Sequence, residues 1–272
     1  MFDGDKRIIE KIAPRLKRVV VADPQPASAR LFTDLMRDIA QSHVWVAGTT
    51  ERALRIAETC DPQLIVLELG TPEVDGLAIA RRIRRSNWLC RKAPIITVTG
   101  AATAAMILAA RDAGVHEFLR KPYSMKDLLR RLEAVTVKER DWVEGMEYIG
   151  PDRRRFNSGE YAGPLKRKTD GSETPYQQKV NQALKIVRAA VAACESDPQQ
   201  AMRAMLTQAT TLQSLATDLR LTLAASEFYR NLMKHNQSGA PLTRAAAEAW
   251  SKPLLTFLRT DSPRSREAVE LA

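Results

Sequence analysis

The sequence predicts a doubly wound α/β domain over residues 16–137, an irregular arginine-rich segment over 138–170 and a small all-α domain over 171–260. Two observations predict the α/β domain: short apolar runs rich in β-branched residues, and helical apolar patterns that alternate with those runs. Apolar runs without polar alternation are typical of strands buried on both faces, as in a parallel sheet. Five β/α pairs in succession therefore predict one parallel sheet with helices on both faces.

The elements of this domain are expected in regular alternation. The predicted strands are Arg18–Ala22, His43–Ala47, Leu64–Glu68, residues 94–99 and Glu117–Arg120. The predicted helices carry apolar residues three or four positions apart, beginning with Leu31, Leu54, Leu77, Met106 and Leu128. Ligands of such folds bind beyond the carboxyl ends of the strands, so polar residues at those ends form the candidate site. They are Asp23, Glu68, Thr99 and Lys121.

The composition narrows the class of protein. The chain has 272 residues, 44% of them hydrophobic, and its 42 Lys and Arg exceed its 32 Asp and Glu to give a net charge of +10. No apolar run reaches about 18 residues, so a membrane-spanning helix is not expected. Acids and bases at the start are not typical of a signal peptide, and three distant cysteines disfavour a disulfide framework or a zinc site. These features predict a cytoplasmic protein with an anionic partner.

Four sequence blocks carry a resemblance to a known family. In order they are VVVAD, LIVLELGTPEVDG, IITVTG and AGVHEFLRKP. With this order and spacing, residues 16–136 resemble a CheY-like response-regulator receiver domain, which has a flavodoxin-like fold. The resemblance implies a site in which acids bind Mg²⁺, an Asp accepts a phosphoryl group, and a hydroxyl and a Lys contact the product. Asp23, Thr99 and Lys121 match positions of that site, and Phe118 stands where a switch aromatic is usual.

Two positions depart from the family pattern. Ala22 replaces the first metal-binding acid, and Glu68 replaces the phosphoacceptor Asp. Glu is longer by about 1.5 Å, and a misplacement of about 1 Å can cost a hundredfold in rate. We therefore expect a degenerate receiver, a pseudo-receiver that is not an enzyme and requires no cofactor, with Glu68 paired to Lys121. Asp23 and Glu68 are the remaining candidate Mg²⁺ ligands, and a phosphorylation-dependent regulator in a phosphorelay stays open as an alternative. His116, which has no partner pattern, is expected in a surface loop.

The segment after the receiver combines arginines, aromatic residues, glycine and proline. Residues 151–168 hold six bases among Gly and Pro residues that break regular structure, namely Arg153, Arg154, Arg155, Lys166, Arg167 and Lys168. An arginine donates two hydrogen bonds to a guanine edge or a phosphate and stacks on a base. Asp152 can accept from the guanine edge, and Arg140 and Trp142 precede the bases. These residue types suit a guanine nucleotide better than a featureless polyanion.

The blocks ERxW, GPDRRRFNSGEY and GPxKRK carry a second resemblance. They resemble the arginine-rich extension of the Cle group of CheY-like proteins, which bind cyclic di-GMP. The resemblance implies that Arg140 and Trp142 stack on the ligand while further residues hold its guanines and phosphates. Those residues are Asp152, Arg153, Arg154, Arg155, Asn157, Ser158 and Arg167. It also implies docking on a protein partner, the flagellar motor switch or another signalling protein.

Other interpretations of the basic segment stay open. It could be a solvated linker, or Trp142, Phe156 and Tyr161 could stack on nucleic-acid bases. Nucleic acid is not expected as the partner, because no helix-turn-helix is predicted and six bases make a small footprint.

The remaining regions are the two termini and the helical domain. Residues 1–15 are expected as an N-terminal extension and residues 261–272 as a flexible tail. Between Val180 and Leu258, apolar residues at helical spacing predict a bundle for partner docking or a homodimer. The sequence as a whole predicts a non-enzymatic signalling adaptor of the response-regulator type that binds cyclic di-GMP.

Overall fold

A computed structural model describes residues 3–138, 140–153, 174–215 and 218–258 of the chain. Five residues of the predicted ligand site lie outside this part of the chain, as does the predicted tail at 261–272. They are Arg154, Arg155, Asn157, Ser158 and Arg167. The chain divides into two compact units, the first comprising Met1–Val143 and Tyr148–Ala162, the second Glu144–Glu147 and Gly163–Ala272.

A parallel sheet of five strands lies at the centre of the first unit, as the sequence predicts. The strands are β1 (Arg18–Ala22), β2 (His43–Ala47), β3 (Leu64–Glu68), β4 (Ile95–Thr99) and β5 (Glu117–Arg120). Their spatial order is β2-β1-β3-β4-β5, and every neighbouring pair is parallel. This order brings the carboxyl ends of β1, β3 and β4 side by side. The predicted flavodoxin-like α/β fold is confirmed.

Helices cover both faces of the sheet. They are α1 (Asp3–Ile12), α2 (Pro26–Ala40), α3 (Thr50–Cys60), α4 (Gly76–Arg85), α5 (Ala104–Asp112) and α6 (Met125–Thr136). The core on one face joins α1, α2 and α6 to alternate strand residues such as Val19 and Val21. The core on the other face joins α3, α4 and α5 to the intervening residues, such as Ile65 and Leu67. Continuous apolar strands therefore supply two cores at once, which is the physical reason for their pattern.

The N-terminal extension is part of the first unit. Helix α1 packs on α6, and Ile12 and Leu16 are fully buried in the core beside Leu132. Burying a large aliphatic side chain contributes roughly 1.5–3 kcal/mol, so these residues help to stabilise the domain that they precede.

A short hairpin follows α6, in a segment for which the sequence predicts irregular structure. Its strands are β6 (Trp142–Glu144) and β7 (Ile149–Pro151). Gly150 has φ +158°, a conformation that L side chains rarely adopt, and a Cβ on it would lie 2.7 Å from the Cα of Gly114. The glycine that looks like a breaker in the sequence therefore allows β7 to approach the receiver closely.

The second unit is helical, as predicted. Its helices in the described residues are α7 (Pro175–Ala193), α8 (Pro198–Leu215), α9 (Leu219–Ser238) and α10 (Arg244–Leu255). Their shared core includes the fully buried Leu184, Phe228 and Leu254. None of the helices in the described part of the chain is long and apolar enough to cross a membrane.

The tip of the hairpin belongs to this second unit. The Gln200 Nε2 donates to the Glu144 carboxylate and to the Gly145 carbonyl, both at 2.9 Å, and the Gln208 Nε2 donates to the Glu144 carbonyl at 3.1 Å. Glu144 is only 1% exposed. Buried polar groups are stable only when they are hydrogen-bonded, so α8 holds this tip through its side-chain amides.

Candidate functional site

The predicted receiver site forms one cluster at the carboxyl ends of the strands. The ammonium of Lys121 donates to Asp23 Oδ2 at 3.1 Å, to Ser28 Oγ at 2.7 Å and to Glu68 Oε2. Asp23 and Glu68 are both 7% exposed. We call Asp23, Ser28, Glu68 and Lys121 the carboxyl-edge cluster. The ion pair expected between Glu68 and Lys121 is present, and Lys121 bridges both acids.

Local structure fixes each member of this cluster. Asp23 follows β1, and its Oδ1 accepts the N–H of Gln25 at 2.8 Å. Gln25 is the residue just before α2. Glu68 ends β3, and Lys121 directly follows β5. Ser28 comes from the first turn of α2, and the sequence had given no reason to select it.

The Lys121 ammonium is held in its charged form. Burial by itself lowers its pKa, but hydrogen bonds and charge attraction from Glu68 and Asp23 raise the pKa above its ordinary value. Burial also raises the pKa of the neighbouring Tyr123 phenol. The cluster is therefore a tight ion pair network at neutral pH.

Thr99 and Phe118 lie in the first unit but outside this network. The Thr99 hydroxyl donates to the Leu69 carbonyl at 2.9 Å and accepts the Ala101 N–H at 3.2 Å, so both of its roles are used within the fold. Phe118 is 7% exposed and packs in the core that α3, α4 and α5 cover.

A second cluster lies at the opposite, amino-terminal edge of the sheet. Glu117 begins β5, and its Oε1 accepts from the Arg140 guanidinium while its Oε2 accepts from Arg131 at 2.9 Å. Arg84, from the last turn of α4, lies at the same edge and is 1% exposed. We call Arg84, Glu117, Arg131 and Arg140 the amino-edge cluster. It combines three guanidinium groups with one carboxylate.

Arg84 is bound mainly by carbonyl groups. It donates to the carbonyl oxygens of Gly114 at 2.9 Å, Arg91 at 2.6 Å and Ala93 at 2.9 Å, and its fourth contact is to His116 Nδ1 at 3.1 Å. Within the described residues no carboxylate pairs with it. Burial lowers the pKa of Arg84 to about 9.

His116 lies in the bend just before β5, so its predicted loop position is confirmed, but its ring is half-buried rather than at the surface. Its Nδ1 also accepts the Ile95 N–H at 3.2 Å, which requires that this nitrogen be unprotonated. Burial first, and then the charges of Arg84 and Arg140, lower its pKa well below the ordinary value. The ring therefore accepts hydrogen bonds in its neutral form.

The predicted ligand residues within the described chain lie on and beside the hairpin. The Trp142 ring has the Arg84 Cζ 5.2 Å and the Lys92 Nζ 5.7 Å from its centroid. The Arg153 Cζ lies 4.0 Å from the centroid of the Tyr148 ring, and its guanidinium donates to Asp112 at 2.8 Å. Cations at such distances are attracted to aromatic faces. Asp152 is anchored through its backbone, since its N–H donates to the Asp141 carbonyl at 2.8 Å.

A glycine positions the hairpin against the receiver. Gly114 has φ +82°, and a Cβ on it would lie 2.3 Å from the Ile149 carbonyl oxygen and 3.1 Å from the Arg84 side chain. Only a residue without a side chain allows β7 to pack at this point.

Several of these partners were absent from the predicted site. Their neighbours in space are distant in sequence, and no local pattern marks them. They are Ser28, Arg84, Lys92, Glu117, Arg131 and Tyr148. The one signal that could have been used is a charged residue at the start of an apolar strand, Glu117.

Comparisons with known proteins agree with this architecture. Residues 19–133 match the family model of the response regulator receiver domain. Over 125 residues the chain is 28% identical to the transcriptional regulatory protein PdtaR of Mycobacterium tuberculosis, which covers 46% of this chain and 59% of that protein. It is 34% identical over 114 residues to the KDP operon transcriptional regulatory protein KdpE of Escherichia coli, covering 42% of this chain and 48% of KdpE.

A third relative matches this chain over nearly its whole length. The chain is 26% identical over 124 residues to the probable chemotaxis protein CheY of Rhizobium etli, covering 46% of this chain and 95% of that protein. The chain thus spans about three fifths of PdtaR and about half of KdpE, and nearly all of this CheY. The matching part is the sheet with its flanking helices, so residues 19–133 of this chain are a CheY-like response regulator receiver domain.

Proposed function

We propose that this chain is a signalling adaptor of the response-regulator type, whose receiver does not use the phosphorylation cycle and whose hairpin region binds cyclic di-GMP. Two arrangements support the proposal, one at each edge of the sheet. The observation that carries the ligand assignment is Trp142, which is flanked by the Arg84 and Lys92 cations.

The carboxyl-edge cluster supports a receiver that works without phosphorylation. Lys121 already bridges the two carboxylates that would bind Mg²⁺, and Ala22 removes a third ligand. A hard divalent cation needs several oxygen ligands, so two acids neutralised by an ammonium do not fit it. The Thr99 hydroxyl donates to Leu69 and would have to turn to meet a phosphoryl oxygen.

A direct test of this part is intact-mass measurement after incubation with acetyl phosphate and Mg²⁺. We expect the mass to remain that of the unmodified chain. Addition of one phosphoryl group at Glu68, lost in a Glu68→Gln variant, would instead identify a phosphorylation-dependent regulator.

The hairpin region supports a nucleotide ligand with negative charge. The Trp142 indole is partly exposed, and an indole or an arginine face stacks on a purine. Lys92 is exposed beside it, in reach of a phosphate, and extends the predicted ligand set. The Arg153 guanidinium lies over the Tyr148 ring, and the side chain is 42% exposed, so it can offer donors to a ligand from solvent.

Calorimetric titration with cyclic di-GMP tests the ligand assignment. We expect binding at micromolar ligand, with a loss of at least about tenfold in affinity for Trp142→Ala and for Arg153→Ala, because each removes a stacking or charge-assisted contact. Arg244→Ala is the matched control, since this exposed arginine pairs with Glu248 in the second unit. Absence of heat in the wild-type protein would contradict the proposal.

Nucleic acid is the alternative that two relatives raise, because PdtaR and KdpE are named transcriptional regulatory proteins. Their similarity covers less than half of this chain and about half to three fifths of those proteins, so it lies within the receiver part of the chain. A nucleic-acid binder would lose affinity steeply with salt and would be indifferent to cyclic di-GMP. Fluorescence anisotropy with labelled DNA at two salt concentrations separates the two.

The helical unit is proposed as the docking surface, for a protein partner such as the flagellar motor switch or for a second copy of the chain. Leu219 and Leu223 lie one turn apart on α9 and are 72% and 60% exposed. Light scattering of the wild type and of Leu223→Asp distinguishes the two occupants. If the wild type is a dimer and Leu223→Asp is a monomer, this surface binds a second copy of the chain. If both proteins are monomers, the surface is left for a separate protein partner.

A further inference from the structure

We infer that Glu117 competes with the nucleotide for Arg140, so that ligand binding exchanges an internal ion pair for contacts to cyclic di-GMP. The inference rests on the proposed function and adds to it the residue that sets the affinity of the site. Glu117 is outside every motif that carries the resemblance to the cyclic di-GMP-binding group.

The burial of Arg140 shows why an exchange is needed. Its side chain is only 10% exposed, and one terminal nitrogen binds Glu117. The other terminal nitrogen is buried and has no hydrogen-bond partner within the described residues. A guanidinium in this position cannot stack on a base, because a stacking face must be open. Arg140 therefore reaches a ligand only by leaving Glu117.

Glu117 keeps a partner when Arg140 leaves it, which lowers the free-energy cost of the exchange. A buried carboxylate without a partner is strongly destabilising, but Arg131 still holds Glu117 through its second oxygen at 2.9 Å. The departing Arg140 also leaves the Arg131 guanidinium, with which it shares the Glu117 carboxylate. An incoming dianion finds a region with more cations than anions.

The backbone around Arg140 also permits the exchange. Helix α6 ends at Thr136 and β6 begins at Trp142, so Arg140 belongs to neither element. Its side chain can turn without breaking the hydrogen bonds of a helix or a strand. Trp142, two residues later, is the proposed stacking platform, which places the released guanidinium near the ligand.

Two substitutions test the exchange in opposite directions. Glu117→Gln keeps the shape but removes the charge that holds Arg140, so we expect cyclic di-GMP to bind at least about threefold more tightly. Arg131→Gln leaves Glu117 dependent on Arg140 alone, so we expect binding to weaken by roughly tenfold. Glu248→Gln is the control, because it alters the exposed partner of Arg244 in the second unit and should change affinity by less than about twofold.

A double-mutant cycle separates competition from a general structural role. In an Arg140→Ala background the gain from Glu117→Gln should disappear, because there is no arginine left to release. All variants are first compared with the wild type by thermal unfolding, and Arg131→Gln carries the test if Glu117→Gln does not fold. Unchanged or weaker binding in a folded Glu117→Gln protein overturns the inference while leaving the proposed function intact. Absence of binding in the wild type and in every variant overturns both.

Discussion

The two edges of the receiver sheet hold opposite balances of charge. At the carboxyl edge, the carboxylates of Asp23 and Glu68 share the ammonium of Lys121, which contacts both. At the amino edge, the Glu117 carboxylate pairs with the guanidinium groups of Arg131 and Arg140. A third guanidinium at that edge, that of Arg84, has no carboxylate partner in the described chain. The first cluster therefore carries a net negative charge and the second a net positive charge. The acids of the carboxyl edge are thus paired with a lysine of the chain itself, whereas the excess of arginines at the amino edge favours an anion.

Under the proposed function, this difference lets a receiver keep its fold while it binds a different ligand. Lys121 pairs with both acids of the carboxyl edge. The amino edge gains its cations from α4, α6 and the segment before β6, and the hairpin completes it. Substitutions at the two edges and at the hairpin contact should therefore lower the free energy of unfolding by different amounts.

The largest effect is expected at Gly114, where the hairpin packs on the receiver. Gly114→Ala places a Cβ 2.3 Å from the Ile149 carbonyl at φ +82°, so both backbone strain and overlap oppose it. We expect a loss of about 3–5 kcal/mol in the free energy of unfolding, measured with urea. Gly48→Ala is the control, since a Cβ there has no neighbour within 4 Å and its effect should be small. Equal effects for the two variants would show that β7 does not depend on this close approach.

The second effect concerns the carboxyl edge. Lys121→Met leaves Asp23 and Glu68 as neighbouring buried acids, and we expect a loss of about 2 kcal/mol at neutral pH. Lys126→Met, at an exposed position of α6, is the matched control.

The pH dependence of the wild type follows from the raised pKa of Lys121. Its folded pKa lies above the unfolded value of 10.5, so the stability from its ion pairs is complete below pH 10.5. That contribution is lost as the pH rises through the folded pKa. Lys121→Met should lack this alkaline loss, and an unchanged alkaline profile would count against the bridging role of the ammonium.

The third effect tests the amino edge through His116. Because its folded pKa is depressed, stability is complete above the unfolded value of 6.5 and falls as the pH drops below it. We expect the wild type to lose about 1 kcal/mol between pH 6.5 and 5.5 from this group. His116→Asn, which keeps an acceptor for Arg84, should flatten that part of the profile. A wild-type profile already flat in this range would mean that the ring is protonated in the folded protein.

The smallest effect is expected for the exposed pair of Asp112 and Arg153. Their side chains are 46% and 42% exposed, and exposed ion pairs contribute little to stability. Asp112→Asn should change the free energy of unfolding by less than about 0.5 kcal/mol, measured by urea denaturation. A larger loss would show that this pair, rather than Gly114, fastens the segment to the receiver.

The fold was predictable because its signals are local and repeated. Strands β1, β2, β3 and β5 have the bounds that their apolar runs predict, and β4 differs by one residue. The contact between Glu68 and Lys121 was predictable from the strand order, since both lie at carboxyl ends.

The amino edge was not predictable, because its contacts join distant residues that belong to no motif. Arg84 in α4 meets His116 across 32 positions, and Glu117 meets Arg140 across 23. In the sequence Arg84 is one of several arginines in an amphipathic helix and His116 stands alone. Only the register of β4 and β5 and the close approach at Gly114 bring them together.

The division of the hairpin has a consequence for how the protein can be taken apart. Residues Glu144–Glu147 belong to the helical unit, although the receiver unit resumes at Tyr148. No single cleavage of the chain can therefore release the helical unit with all of its residues and without those of the receiver unit. A helical bundle grafted onto another receiver would lack the carboxylate that Gln200 holds, unless those four residues were transplanted with it. The two units alternate along the sequence, so recombination between related genes would keep both units whole only if residues Glu144–Glu147 were exchanged together with the helical unit.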